Sequence, residues 1–191
     1  MKKLKILCAC EFSGIVRDAF IKRGHDAVSC DLLPTERLGP HIQGDVLKIL
    51  DDGWDLMIAH PPCKYICNGG NNWLNRRPDL DWRGNRELGA KFFIQFINAP
   101  INKIAVENPI GCMSSKYRKP NQIVRPWWFG NEYNKDICLW LKNLPCLEKT
   151  DIINPPYKKL DFWSSKRNPN GRSLKSITFQ GIADAMAEQW G

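Results

Sequence analysis

Histidine is scarce in this chain, at three residues in 191, and no two cysteines flank a two-residue gap. With the histidines unclustered, these absences argue against a zinc site of the usual spacing, although Cys63 and Cys67 stand close together. Long apolar runs are also missing, and none approaches the ~20 residues that a membrane-spanning helix needs. The basic-then-apolar start, Met1-Lys2-Lys3-Leu4-Lys5-Ile6-Leu7, resembles a signal peptide only briefly. Glu11 breaks it and a glycine turn follows, so it reads as a first strand and the protein is expected in the cytoplasm, away from membranes. A glycine-rich phosphate cradle is lacking too: Gly14 stands alone after that strand, with Val16 where a dinucleotide fingerprint would have another glycine. The eight cysteines do not form an evident disulfide framework. Cys8, Cys10, Cys30 and Cys138 lie in apolar strand-like runs, where free cysteine behaves as a small hydrophobe, which fits a reducing compartment.

Positive charge is present in excess, at +8, and it is unevenly placed. Residues 116–175 carry thirteen Lys/Arg against five Asp/Glu, while the remainder has fifteen of each sign. Trp127, Trp128, Tyr133, Trp140, Tyr157 and Trp163 are interleaved with those cations. A basic segment studded with aromatics suits a polyanion such as nucleic acid. The plainer alternative is a solvated basic face whose aromatics belong to the core.

Periodicity gives alternating strands and helices. Strands are predicted over Leu4 to Cys10, Ala27 to Cys30, Trp54 to Ala59 and Lys103 to Val106. Helices are predicted over Ile15 to Arg23, with Val16, Ala19 and Phe20 inward, and over Arg83 to Phe96, with Leu88, Phe92 and Phe96 as its core stripe. Val46 to Leu50 is a short helical stretch opened by Asp45, and Gly181 to Trp190 a closing helix. Ile123 to Phe129 and Ile137 to Leu141 look like an antiparallel hairpin. The expected fold is α/β: a Rossmann-like, doubly wound, mostly parallel sheet with that hairpin near its C-terminal end. A single domain is expected over residues 1–191, with a cofactor half (1–60), a catalytic half (61–144), a short irregular basic segment (145–180) and the closing helix (181–191).

Two motifs stand at the ends of predicted strands, where open parallel sheets place their ligands. The first is Ala59-His60-Pro61-Pro62-Cys63 and the second is Val106-Glu107-Asn108-Pro109. A thiol stiffened by two prolines can attack an electron-poor ring while a carboxyl group protonates a ring nitrogen. That pairing is what methylation of cytosine at carbon 5 requires. The polar loop that follows, Asn68-Gly69-Gly70-Asn71-Asn72 and Arg76-Arg77-Pro78, has the length of a lid or binding loop. In the first half, Phe12-Ser13-Gly14 opens a helix, Asp31 ends a strand where a carboxylate commonly accepts from ribose hydroxyls, and Asp45 could meet an adenine amino group. Singly, Asp31 and Asp45 read as turn and helix caps. Together they fit a nucleoside without phosphates, and S-adenosylmethionine is one.

The order of these parts resembles the DNA (cytosine-5)-methyltransferases across roughly residues 4–110, and more weakly to the end, in a compact form typical of phage or prophage genomes. The resemblance implies the class I S-adenosylmethionine-dependent methyltransferase fold. It implies Cys63 as nucleophile, Glu107 as the acid on ring nitrogen 3, and Asn108 orienting Glu107 or its loop. It places Phe12, Ser13, Gly14, Asp31, Asp45 and Pro61 at the cofactor, S-adenosyl-L-methionine. DNA is the implied substrate, with its target base flipped out of the stack. Lys64, Arg76, Arg77 and Arg125 are the basic residues expected at the nucleic acid, and Lys64 is also a candidate to help Cys63 ionise.

Three features depart from the family. The stretch Lys135-Asp136-Ile137-Cys138-Leu139-Trp140 lacks the usual Arg-x-Arg pair, for which Arg125 is the nearest substitute. Lys64 follows the nucleophile where glutamine is common. Residues 145–175 are too few for a large target-recognition region, so specificity would come from the hairpin and the Asn-Gly loop, or from a partner protein. A catalytically inactive nucleic-acid-binding module, or a Rossmann-like enzyme acting on RNA or a small nucleotide, are the alternatives.

Overall fold

Ile6, Leu7, Cys8 and Ala9 are fully buried because their strand, β1 (Lys5–Ala9), runs through the middle of a sheet covered on both faces. The computed structural model describes residues 2–70, 81–154, 158–159 and 178–191. Among these, β2 (Asp26–Asp31), β3 (His41–Gln43), β4 (Leu56–Ala59), β5 (Lys103–Pro109), β6 (Gln122–Val124) and β8 (Ile137–Lys142) join β1 in the order β3-β2-β1-β4-β5-β8-β6. Every neighbouring pair from β3 to β5 is parallel, and only β8 runs against its neighbours β5 and β6. This is a doubly wound, mostly parallel, Rossmann-like sheet.

Strand alternation sorts the core into two layers. Ile6 and Cys8 face α1 (Ile15–Lys22) and the closing helix α4 (Gln180–Trp190), together with Phe20, Ile182, Met186 and Trp190. Leu7 and Ala9 face α2 (Trp82–Ile97), together with Met57, Phe93, Phe96 and Trp140. The chain winds outward from β1 to β3 and then returns to lay β4 against the other side of β1. A crevice therefore opens at the carboxyl ends of β1 and β4, the switch point of the sheet.

Several expectations are corrected. The core stripe of α2 is Ala90, Phe93, Phe96 and Ile97, while Leu88 is 64% exposed. The predicted stripe took every fourth residue, which drifts around a helix of 3.6 residues per turn. The expected hairpin is present, with β6 antiparallel to β8, and β8 lies between β5 and β6 within the main sheet. Its first strand stops at Val124 because Pro126 starts a 3-10 turn over Pro126–Trp128. The exposed edge strand β3 and the short helix α3 (Met113–Lys116) were not foreseen. In the segment read as irregular, β9 (Lys158–Lys159) pairs with β7 (Tyr133–Asn134). Arg76 and Arg77, with most of their loop, and residues 160–175 lie outside the described residues.

One buried cation shapes the β2–β3 connection. The side chain of Arg17 is fully buried, and it donates to Ser29 Oγ at 3.2 Å, Thr35 Oγ1 at 3.3 Å and the carbonyls of Arg37, Leu38 and Pro40 at 3.2–3.4 Å. It also pairs with Asp18 at 2.8 Å. Gly14, at φ 74°, makes room for it: a Cβ there would lie 2.5 Å from Arg17 Nη2. Replacing Arg17 by Met would orphan these acceptors, and a loss of about 3 kcal/mol is expected in urea unfolding. A loss below about 1 kcal/mol would show that the loop does not depend on it.

Candidate active site

The thiol turn follows from what two prolines forbid. His60 continues the ladder by donating its N–H to Ala9 O at 2.9 Å, but Pro61 and Pro62 have no N–H and the chain leaves the sheet. Cys63 O then accepts from Ile66 N at 3.1 Å and Cys67 N at 2.9 Å, a single helical turn that brings the two thiols into hydrogen-bond contact. The turn is anchored to the chain beyond β5 by Asn68 N to Ile110 O and Cys112 N to Ile66 O, at 3.0 and 2.8 Å. Gly111 permits that approach, since a Cβ there would sit 2.0 Å from Ile66 O.

The acid–amide motif lies inside a strand rather than after one. β5 outlasts its partner β4 because Glu107, Asn108 and Pro109 pair with Leu139, Cys138 and Ile137 of β8. Asn108 is 2% exposed and donates through Nδ2 to Pro61 O at 2.7 Å and to Glu107 O at 3.1 Å. It thus ties the thiol turn to the acid strand. Glu107 Oε2 meets His60 Nδ1 at 3.2 Å.

These groups share one cavity of about 560 Å³, lined by residues 60–63, 67–69, 107–110 and 134–137 with Thr178 and Ile182. Its size is ordinary for a small-ligand site. Cys63, Glu107, Asn108 and Pro61 all line it. Phe12, Ser13, Gly14, Asp31, Asp45, Lys64 and Arg125 do not.

The Cys63 thiol is pushed well above its ordinary range by its hydrogen bond to Cys67, by burial and by the Glu107 carboxylate, and Lys135 is the cation that opposes this. The sequence had suggested Lys64 for that part. Lys64 is exposed and its ammonium stacks over the Tyr65 ring at 4.9 Å, because a side chain next to the thiol in sequence leaves the turn in another direction. Burial opposes charge on Glu107, but the His60 hydrogen bond, Lys135 and the His60 charge outweigh it and hold this carboxyl below its usual range.

The residues expected at a cofactor gather at the ends of β1 and β2. Asp31 and Asp45 both act on the Cys10 thiol there, which burial and then their charges push upward. Each spends one oxygen locally, Asp31 on Leu33 N at 2.9 Å and Asp45 on Leu47 N at 3.0 Å, so both are caps as well as candidates. Their second oxygens have no partner among the described residues. Ser13 is buried, bonded to Glu11 at 2.8 Å and to Ile15 N at 3.3 Å. Glu11 accepts Val16 N and Arg17 N at 3.0 and 3.4 Å, so a carboxylate already occupies the helix N-terminus that a phosphate would need. A cationic nucleoside with free hydroxyls fits this acidic end, and S-adenosylmethionine is one. Gly14 also leaves room for the Arg17 side chain.

Of the basic, aromatic segment, Trp140 is core, Trp127 and Trp128 are half-buried, and Tyr133 is exposed. Arg125 is engaged by Asp136, Nε to Oδ1 at 2.7 Å, and Asp136 lines the cavity. His60, Cys67 and Lys135 are the site residues that sequence reasoning missed. The signal for His60 was available, since it opens the Pro-Pro-Cys motif. Lys135 lies two residues before β8, in the stretch that lacks Arg-x-Arg, so a cation at that position was legible only once β8 was known to flank β5.

No family model matches the chain, and no curated protein matches it. A solved structure described provisionally as a DNA modification methyltransferase encoded within an E. coli prophage superposes with a TM-score of 0.46 at 14% identity. The match covers 73% of this chain and 46% of that one, so this chain spans less than half of that structure's length. Such a likeness leaves the fold resting on the strand order and the chemistry on the site.

The site's electrostatics give a direct expectation. Cys67→Ala should raise the iodoacetamide alkylation rate of Cys63 by roughly tenfold, and Lys135→Met should lower it, as thiolate populations shift by about one pKa unit. Peptide mass mapping isolates Cys63 from the other thiols. Equal rates in all three proteins would remove both neighbours from control of the thiol.

Proposed function

We propose that this chain methylates cytosine at carbon 5 in DNA through a covalent adduct of Cys63. The observation that carries it is the meeting of Cys63 and Glu107 in one cavity, with their two segments joined by the Asn108–Pro61 hydrogen bond. Cys63 Sγ adds to ring carbon 6 while Glu107 directs a proton to ring nitrogen 3, which makes carbon 5 nucleophilic. S-adenosylmethionine, held by Phe12, Ser13, Gly14, Asp31, Asp45 and Pro61, supplies when bound an electrophilic methyl group. Loss of the carbon 5 proton then expels the thiolate. Lys135 faces both Cys63 and Glu107, and its charge favours the thiolate that must form on attack.

A base inside a duplex cannot enter such a cavity, so duplex DNA would be bound with its target flipped out. Lys64, Arg76, Arg77 and Arg125 contact the backbone in this account, and a partner protein supplies whatever specificity they do not. The raised Cys63 thiol also suits a second function, a module that binds nucleic acid without turnover.

Transfer of labelled methyl from S-adenosylmethionine to duplex DNA, single-stranded DNA and RNA separates the two. Label is expected as 5-methylcytosine in DNA. Cys63→Ala should abolish it while folding and cofactor binding persist, and Glu107→Gln should slow it by about 10²-fold or more. Cofactor binding without transfer to any of the three polymers would favour the binding module or a missing partner.

A further inference from the structure

His60 has no part in the chemistry above, yet it is the side chain most closely engaged with Glu107. Its side chain is 9% exposed, and its place between strand β4 and Pro61 restricts its backbone to extended conformations. Nδ1 lies 3.2 Å from Glu107 Oε2, while Nε2 is buried with no hydrogen-bond partner and the residue lines the cavity. A histidine kept only for packing would not leave a buried nitrogen bare beside a carboxylate. With Oε2 engaged, Oε1 of Glu107 is left for a ligand.

Resting on the cytosine-methylation function above, we propose that His60 is the positioning residue of Glu107, and that the two side chains hold between them the proton lent to the substrate's ring nitrogen. His60 and Lys135 outweigh burial and leave Glu107 ionised near neutrality, so this carboxylate has no proton of its own to give. The imidazolium form of His60, hydrogen-bonded to Oε2, can supply one and is left as neutral imidazole. The proton passes from Nδ1 through the carboxylate to ring nitrogen 3 as the Sγ–carbon 6 bond forms. It returns to the pair when that bond breaks, so the pair ends the cycle as it began. The proton released overall is the one lost from carbon 5. The other titratable groups facing the pair are Cys63 and Cys67 of the thiol turn, Lys135 and Asp136 just before β8, and Cys138 within it.

The full chain carrying His60→Ala or His60→Asn tests this with two readouts. The first is the titration of Glu107, followed by carbon-13 NMR of labelled glutamate carboxyls and assigned with Glu107→Gln. The second is the pH profile of methyl transfer. In His60→Ala the Glu107 titration should move upward toward an ordinary carboxylate. Transfer at neutral pH should fall roughly 100-fold and recover as the pH drops, because Glu107 must then carry its own proton. His60→Asn, which keeps a donor on Oε2 but no titrating proton, should restore much of the substrate KM and keep the acid-shifted profile. If His60→Ala does not fold, His60→Asn alone carries the test. An unmoved Glu107 titration, or a pH profile superimposable on the parent's, would overturn the proposal. A moved titration in a chain whose parent transfers no methyl would support the pairing and count against cytosine methylation.

Discussion

The bond from Asn108 Nδ2 to Pro61 O, 2.7 Å long and buried, is the constraint on which the site depends. Cys63 sits on a turn that has left the sheet, and Glu107 on a strand held by β8. Backbone bonds from Asn68 N to Ile110 O and from Cys112 N to Ile66 O join the two segments further along. The amide joins them at the site itself, and the His60–Glu107 contact runs beside it. An amide left unpaired in such a place would cost about 1–3 kcal/mol, so the bond is strongly selected by the fold itself. Two prolines add to the effect by removing conformational freedom from the turn before folding begins.

Charge divides the crevice into two regions. Glu11, Asp31 and Asp45 make the end near β1 and β2 acidic, and Glu11 caps the helix that would otherwise attract an anion. The end near β5 and β8 holds its carboxylate between His60 and Lys135, with the thiol next to it. In the proposed reaction a cationic cofactor takes the first end and a neutral base ring the second. The Cys63 thiol is raised above its ordinary range, and Lys135 is the charge that opposes this.

Much of the plan was legible from the residues. β1, α1, β2, β4 and the closing helix came from unbroken apolar runs and from Val16, Ala19 and Phe20 at helical spacing. The thiol turn was legible because prolines forbid continuation of a strand. What could not be read were features that depend on distant partners. β5 extends to Pro109 only because β8 pairs with it, and β8 stands inside the sheet only because tertiary contacts put it there. Arg17 follows the inward Val16 on α1, and its charge is fully buried under a loop of carbonyls contributed some twenty residues later. Lys135 replaced Lys64 as the cation near the thiol for the same reason, since adjacency in sequence says little about where two long side chains point.

The most direct test of the account is covalent capture at Cys63. An oligonucleotide carrying 5-fluorocytosine, incubated with the protein and S-adenosylmethionine, leaves no carbon 5 proton to abstract and so stalls the adduct. The account predicts a denaturation-resistant complex whose tryptic map places the nucleotide on Cys63, absent without the cofactor and absent in Cys63→Ala. A complex mapped to another residue, or none formed under conditions where both ligands bind, would contradict it.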